Sequence, residues 1–217
     1  AGHEKYFKTT IHGINGGLAD HAILVIGANM GVLRMTKEHL GIIKALNIPF
    51  SVVITKIDIC PEPVLDRTTR EITRIISRNF SKELVLQKPD QNINLTTFNP
   101  REPIKMFRIS NVSGYGLDAF RQSLYSLQNR VNWEKNREQD TIMWIDNVYL
   151  VKGIGVVLSG TLKKGEIKIN DKLLLGPSNG EFQDVTVKSI HNNFREDISL
   201  LKAGVSGCVN IKATNSS

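Results

Sequence analysis

Apolar and polar positions along the chain follow two regimes. Over the first two thirds, short continuous apolar runs alternate with apolar residues at helical spacing. Tyr6, Phe7, Thr10, Ile11 and Ile14 keep a helical period that dissolves at Gly16-Gly17. Residues 22–26 are a continuous apolar run, the length of a strand buried on both faces. A loop bracketed by Gly27 and Gly31 follows. Thr36 is placed to cap the next helix, whose Leu40, Ile43 and Leu46 share a face before Asn47 ends it. Residues 50–54 predict a second buried strand, and Ile72, Ile75 and Ile76 mark the helix after it. Residues 104–109 predict a third strand, and Leu117, Phe120, Leu124 and Leu127 a third amphipathic helix. Strands alternating with helices predict a parallel sheet of α/β type.

Two stretches break this rhythm. Residues 79–103 are polar, contain Pro89, Pro100 and Pro103, and predict an insertion loop. Residues 129–140 are charged, lack apolar periodicity, and predict a linker. Beyond them, residues 142–151, 156–159, 172–175, 185–190 and 208–211 are short strand-like runs. Turn signals at Lys164-Gly165, Asn170-Asp171, Ser178-Asn179-Gly180 and Lys202-Ala203-Gly204 separate them. These features predict a small antiparallel barrel or sandwich. The chain is therefore expected to hold two domains, residues 1–140 and 141–217.

Composition narrows the picture further. The 217 residues suffice for one large or two modest cores, and 41% hydrophobic with 23% charged residues describes a globular chain. Lys and Arg number 28 against 21 Asp and Glu, giving +7 and a bias toward polyanionic partners. No apolar run approaches the roughly 20 residues that cross a bilayer. Cys60 and Cys208 lie far apart without metal-ligand spacing, which excludes a disulfide scaffold and suits a reducing, cytoplasmic compartment. The chain opens at Ala1-Gly2-His3 without a methionine or a secretory signal, and reads as a piece of a longer protein.

The sharpest chemical signal is Thr55-Lys56-Ile57-Asp58, directly after the strand at 50–54. Ligands of open parallel sheets bind beyond the carboxyl ends of the strands. An Asp there accepts two hydrogen bonds from adjacent donors, such as N1 and N2 of guanine, and a Lys stem lies over a base or ribose face. The same residues also suit a plain polar loop. Ser110-Asn111-Val112-Ser113-Gly114 ends the third predicted strand, where its backbone N–H groups would face a ligand held by the previous loop. Short polar turns are common in that place too. Gly2-His3 leads into a helix; glycine lets backbone approach a phosphate, and an imidazole can position a water. A lone histidine near a chain start is also an ordinary exposed side chain. His12, His21 and His39 make no catalytic or metal spacing and read as surface or helix-face residues.

Two apparent signals fail. Gly160 to Gly165 has the spacing of a phosphate-binding loop, but Glu166 follows where Lys is required. Gly153-Ile154-Gly155 is better read as a strand bend.

In their order, Ala1-Gly2-His3-Glu4-Lys5-Tyr6, Thr36-Lys37-Glu38-His39, Thr55-Lys56-Ile57-Asp58 and Ser110-Asn111-Val112 resemble the translational GTPases of the elongation factor Tu type. They are nearest to the eukaryotic GTP-binding protein 1 and 2 type. Residues 146–160 and 165–171 resemble that family's β-barrel domain. The resemblance implies an α/β G domain of the P-loop NTPase type, amino-terminally truncated, followed by a small all-β barrel. It implies GTP and GDP with Mg2+ as ligands and hydrolysis of GTP. Gly2 would give its N–H to the γ-phosphate, and His3 would position the attacking water. Lys56 and Asp58 would hold guanine, and Ser110, Asn111 and Val112 would form the loop facing its O6. Thr55 departs from the commoner Asn of that motif, which removes an amide that braces the base. The magnesium ligands and phosphate loop are expected upstream of Ala1, so no metal ligand is assigned within the chain. Ribosome and RNA are the implied partners of a monomeric cytoplasmic protein, with Lys163, Lys164, Lys168, Lys172 and Lys188 as candidate RNA contacts. The rival reading is a non-hydrolysing RNA- or protein-binding module with a degenerate nucleotide domain.

Overall fold

A computed structural model describes residues 5, 7–16, 19–89 and 102–214. The chain divides into two compact units, residues 1–130 and 131–217.

In the first unit, helix α1 (Phe7–Gly16) precedes strand β1 (Ala22–Gly27), helix α2 (Arg34–Ala45) and strand β2 (Phe50–Thr55). Helix α3 (Glu62–Phe80), strands β3 (Leu84–Leu86) and β4 (Ile104–Arg108) and helix α4 (Leu117–Tyr125) complete it. The strands lie in the order β1-β2-β4-β3, and every pair is parallel. Central β2 has five of its six residues buried, as an apolar run covered on both faces requires. On one face Leu24, Ile26, Val52, Ile54 and Met106 pack against Leu40 and Ile43 of α2 and Leu65, Ile72 and Ile76 of α3. On the other, Val53, Phe107 and Ile109 pack against Ala119 of α4, with Phe120 edge-on to Phe107 at 5.4 Å.

Four expectations change here. Among the described residues strand β1 is buried on one face only: Ile23 and Val25 are 41% and 60% exposed, and the cluster around Ala119 of α4 draws its strand residues from β2 and from Phe107 and Ile109 at the end of β4. Thr36 does not occupy the cap itself. The helix starts at Arg34, and Thr36 accepts the Leu33 N–H from inside the first turn. The expected insertion loop begins with the last turn of α3 and contains β3, which extends the sheet beyond β4. His21 is no surface residue: it is half-buried, and its Nε2 lies 2.9 Å from the buried Ser51 hydroxyl. Burial, with the charge of Lys105, lowers its pKa to about 4.

The second unit begins with helix α5 (Trp133–Arg137), inside the expected linker. Asn136 ties it to the strands, accepting the Gly165 N–H and donating to Lys163 O. Strands β5 (Ile142–Val151), β6 (Gly155–Lys164), β7 (Glu166–Lys168), β8 (Lys172–Ser178), β9 (Glu181–Asn192), β10 (Asp197–Ile198), β11 (Leu200–Lys202) and β12 (Ser206–Ala213) follow. All pairs are antiparallel, in the order β10-β9-β12-β6-β5, with β8 also on β9 and a separate ladder of β7 with β11. The curled sheet encloses Leu158, Leu162, Ile167, Val187, Ile190, Leu201 and Val209. Gly160 serves packing rather than phosphate binding, since a Cβ there would collide with the Trp144 carbonyl. Among the described residues, no helix is long and apolar enough to cross a membrane.

Candidate functional site

Three loops leave the carboxyl edge of the parallel sheet side by side, at the ends of β1, β2 and β4. Backbone hydrogen bonds fasten their roots. Ala28 N–H donates to Thr55 O at 2.9 Å, and Ile109 N–H donates to Ile54 O at 2.8 Å. The Thr55 hydroxyl donates back to Ile26 O at 3.4 Å. Thr55, where an amide is commoner, thus braces β2 to β1.

Beyond Thr55 the chain turns sharply. Lys56 adopts the left-handed conformation, φ 60 and ψ 36, and caps a single 3-10 turn, Ile57–Ile59. That turn presents Lys56 and Asp58 to solvent. Asp58 has no hydrogen bond or ion pair among the described residues, so its oxygens are open to outside donors.

The loop after β4 is wound on Ser110, which is fully buried. Its Oγ accepts the N–H groups of Val112 and Ser113 at 3.2 and 3.1 Å. Ser110 N–H donates to Tyr115 O, and Gly114 N–H to Ser110 O. The sequence reading has the loop's N–H groups together facing a ligand, but the turn consumes those of Ser110, Val112, Ser113 and Gly114. Only that of Asn111 is left unused within the turn. Asn111 and Val112 are exposed, Val112 at 87%. Gly116 (φ +70) closes the loop against the Arg108 carbonyl, which a Cβ would strike.

The edge therefore holds an open carboxylate at Asp58, a lysine stem at Lys56 and an unused amide donor at Asn111. Guanine offers the complement: two adjacent donors, an acceptor at O6 and a flat apolar face. Gly2 and His3 lie outside the described residues. Among the described residues no three His, Cys, Asp or Glu side chains stand together to hold a metal ion.

Helix α3 braces this edge in a way no motif announces. The buried Thr68 hydroxyl donates to Ala28 O at 3.3 Å. Arg108 donates to Thr69 Oγ1 at 2.9 Å and to Asp66 Oδ1 at 3.3 Å.

The second unit carries a different kind of surface. Lys172 on β8 and Lys212 on β12 are both paired with Thr186 of β9, and Lys188 follows two residues along β9; all three are exposed. Lys212 was missed from the sequence because the ladder alone brings it there. Lys163, a candidate contact, is buried instead, its ammonium 4.6 Å from the Trp144 ring centroid. Burial holds its pKa below the usual lysine value, with Asp146 opposing the shift.

Known proteins give this arrangement a family. The family described as "Elongation factor Tu GTP binding domain" matches residues 1–149. GTP-binding protein 1 of Xenopus laevis is 43% identical over 195 residues, covering 88% of this chain and 30% of its own. GTP-binding protein 2 of Homo sapiens is 34% identical over 212 residues, covering 94% and 35%. The selenocysteine-specific elongation factor of Methanocaldococcus jannaschii is 32% identical over 203 residues, covering 94% and 38%. The chain thus spans about a third of the length of these relatives. Among solved structures, elongation factor SelB of Methanococcus maripaludis, in complex with the GTP analogue GppNHp, superposes with a TM-score of 0.71 at 25% identity, over 100% of this chain and 42% of its own. The chain belongs to the elongation factor Tu GTP-binding-domain family of translational GTPases.

Proposed function

We propose that this chain is the base-reading and RNA-contacting part of a GTP-hydrolysing switch that acts with the ribosome and tRNA. One observation carries the nucleotide reading: the open Asp58 carboxylate and the unused Asn111 N–H share one sheet edge with the Lys56 stem. Asp58 accepts from N1–H and the exocyclic amine of guanine, Asn111 N–H donates to O6, and the Lys56 methylenes cover the ring. Adenine lacks the N1 proton and would leave the carboxylate unpaired, which is how such a site rejects it.

Hydrolysis is assigned to the amino-terminal motif. Gly2 N–H binds the γ-phosphate, and His3 positions the attacking water. Bound Mg2+ would supply charge neutralisation at the phosphates. The lysines around Thr186 meet the RNA backbone in a cytoplasmic, monomeric protein.

Asp58→Asn in the full-length protein tests the reading. The substitution replaces an acceptor oxygen with a donor amide, which opposes the guanine amine and suits the 2-carbonyl of xanthine. The expected result is GTP affinity lower by about ten- to a hundredfold and a gain for xanthosine triphosphate, read by competition against a fluorescent nucleotide. Unchanged preference for GTP would falsify the assignment. Absence of GTP turnover in the parent would leave the non-hydrolysing module as the better reading.

A further inference from the structure

We propose that Arg108 is a positioning residue that holds the two base-reading loops in register, an inference that rests on the guanine reading of Asp58 and Asn111. Arg108 ends β4, two residues before Ser110. Its guanidinium leaves the strand and crosses to α3, where one nitrogen donates to Thr69 Oγ1 and Asp66 Oδ1. Thr69 spends its own proton on Leu65 O at 2.8 Å, so its lone pairs are turned to the arginine. Helix α3 begins at Glu62, three residues after the turn that presents Asp58. Arg108 thus joins the element leading into the Asn111 loop to the element leading out of the Asp58 turn.

The backbone alone does not make this connection. The bond from Ile109 N–H to Ile54 O fastens β4 to β2 below the loops. The bond from Thr68 to Ala28 O fastens α3 to the exit of β1. Of the hydrogen bonds described, those of Arg108 tie α3 to β4. Its main chain is held as well, since the Arg108 carbonyl abuts Gly116 at the cap of α4.

The Arg108 side chain is mostly buried, 20% exposed, and its Nε is buried without a partner among the described residues. A desolvated cation with an orphan donor is a poor device for stability alone. It is a good device for fixing distance, because the two N–H groups of one terminal nitrogen in a rigid, planar guanidinium reach two acceptors in one geometry. Two loops that must meet the same base need placement to about half an ångström. Arg108 touches no base in this scheme and acts through α3.

The test measures base discrimination in the full-length protein. GTP and inosine triphosphate, which lacks the 2-amino group, compete against a fluorescent nucleotide for Arg108→Ala, Arg108→Lys and Thr69→Val. The preference for GTP over inosine triphosphate should narrow by about three- to tenfold in Arg108→Ala and Thr69→Val, a net hydrogen bond's worth. Arg108→Lys should keep part of it. Thermal melts of the same variants report stability separately. A preference equal to the parent's, whatever happens to melting temperature or overall affinity, overturns the proposal and leaves Arg108 a structural residue. Thr69→Val and Arg108→Lys carry the test if Arg108→Ala does not fold. Asp58→Asn runs in parallel. If it keeps the parent's preference for GTP, the base reading falls and this inference with it. If it loses that preference while the other variants keep theirs, only the role of Arg108 falls.

Discussion

At the carboxyl edge of the parallel sheet, polar chemistry is gathered onto two short loops and fastened by main-chain bonds. Asp58 sits on a turn forced by the left-handed Lys56, and Asn111 on a loop wound around the buried Ser110 hydroxyl. On the antiparallel unit, charge is spread along strands. Lys172, Lys188 and Lys212 share a face by ladder register, and all three are exposed. The first surface can discriminate between ligands by unpaired groups, because each donor and acceptor has one place to be. In the function proposed, the second attracts any phosphate chain by summed charge and discriminates little. Concentrated chemistry should fail all at once on substitution, and distributed chemistry by small steps.

The largest effect expected is shared by both regions, because each rests on a close-packed core. Ile76→Ala in α3 and Leu162→Ala in β6 remove fully buried side chains and should each cost about 2–5 kcal/mol in urea unfolding. The comparison sharpens if Ile76→Ala, which lies on the helix that braces the edge, weakens nucleotide binding more than Leu162→Ala does. Equal losses of affinity would break it.

His3→Ala comes next. In the full-length protein it should lower ribosome-stimulated hydrolysis by about 100-fold while leaving GTP affinity nearly unchanged. A group that positions water acts in the transition state, so its loss appears in turnover. Single-turnover rates equal to the parent's would return His3 to an ordinary exposed residue.

A smaller effect follows from His21. Its folded pKa of about 4 lies below the unfolded 6.5, so between those values the unfolded chain binds more protons. The stability it contributes is full above pH 6.5 and is lost progressively as pH falls toward 4. His21→Gln, which keeps a partner for Ser51, should flatten that part of the stability profile in urea titrations. A slope identical to the parent's would mean that His21 is not held neutral.

The smallest steps belong to the lysines. Lys172→Ala, Lys188→Ala and Lys212→Ala should each weaken binding to a mixed-sequence RNA and lower the slope of log K against log salt by about 0.7 to 1. Loss of all binding from any one of them would show a concentrated site on this surface as well.

What was legible in the sequence follows from the same contrast. The Thr55-Lys56-Ile57-Asp58 turn was readable because strand end, turn and chemistry are contiguous. The exposed face of β1 was not, because an apolar run does not reveal which neighbour covers it. Strand β3 is three residues long, too short to register a period within a polar stretch. The tie from Arg108 spans 39 and 42 residues to its partners, and Lys212 joins Lys172 only through Thr186. Such juxtapositions are made by topology and leave no local trace. Nor could residue types alone reveal that Asn111 keeps its backbone donor while its neighbours spend theirs.

That spare donor makes the loop an isotope clock with one fast hand. In deuterated solvent the amides of Ser110, Val112, Ser113 and Gly114, each held by a partner, should exchange through openings of the whole turn. The Asn111 amide, exposed and unclaimed by the turn, should exchange almost as quickly as in a free peptide. When guanine nucleotide occupies the edge, this one amide should slow while its neighbours barely change. Hydrogen exchange at a single backbone position would then count occupied molecules directly, with no label on the nucleotide and none on the protein.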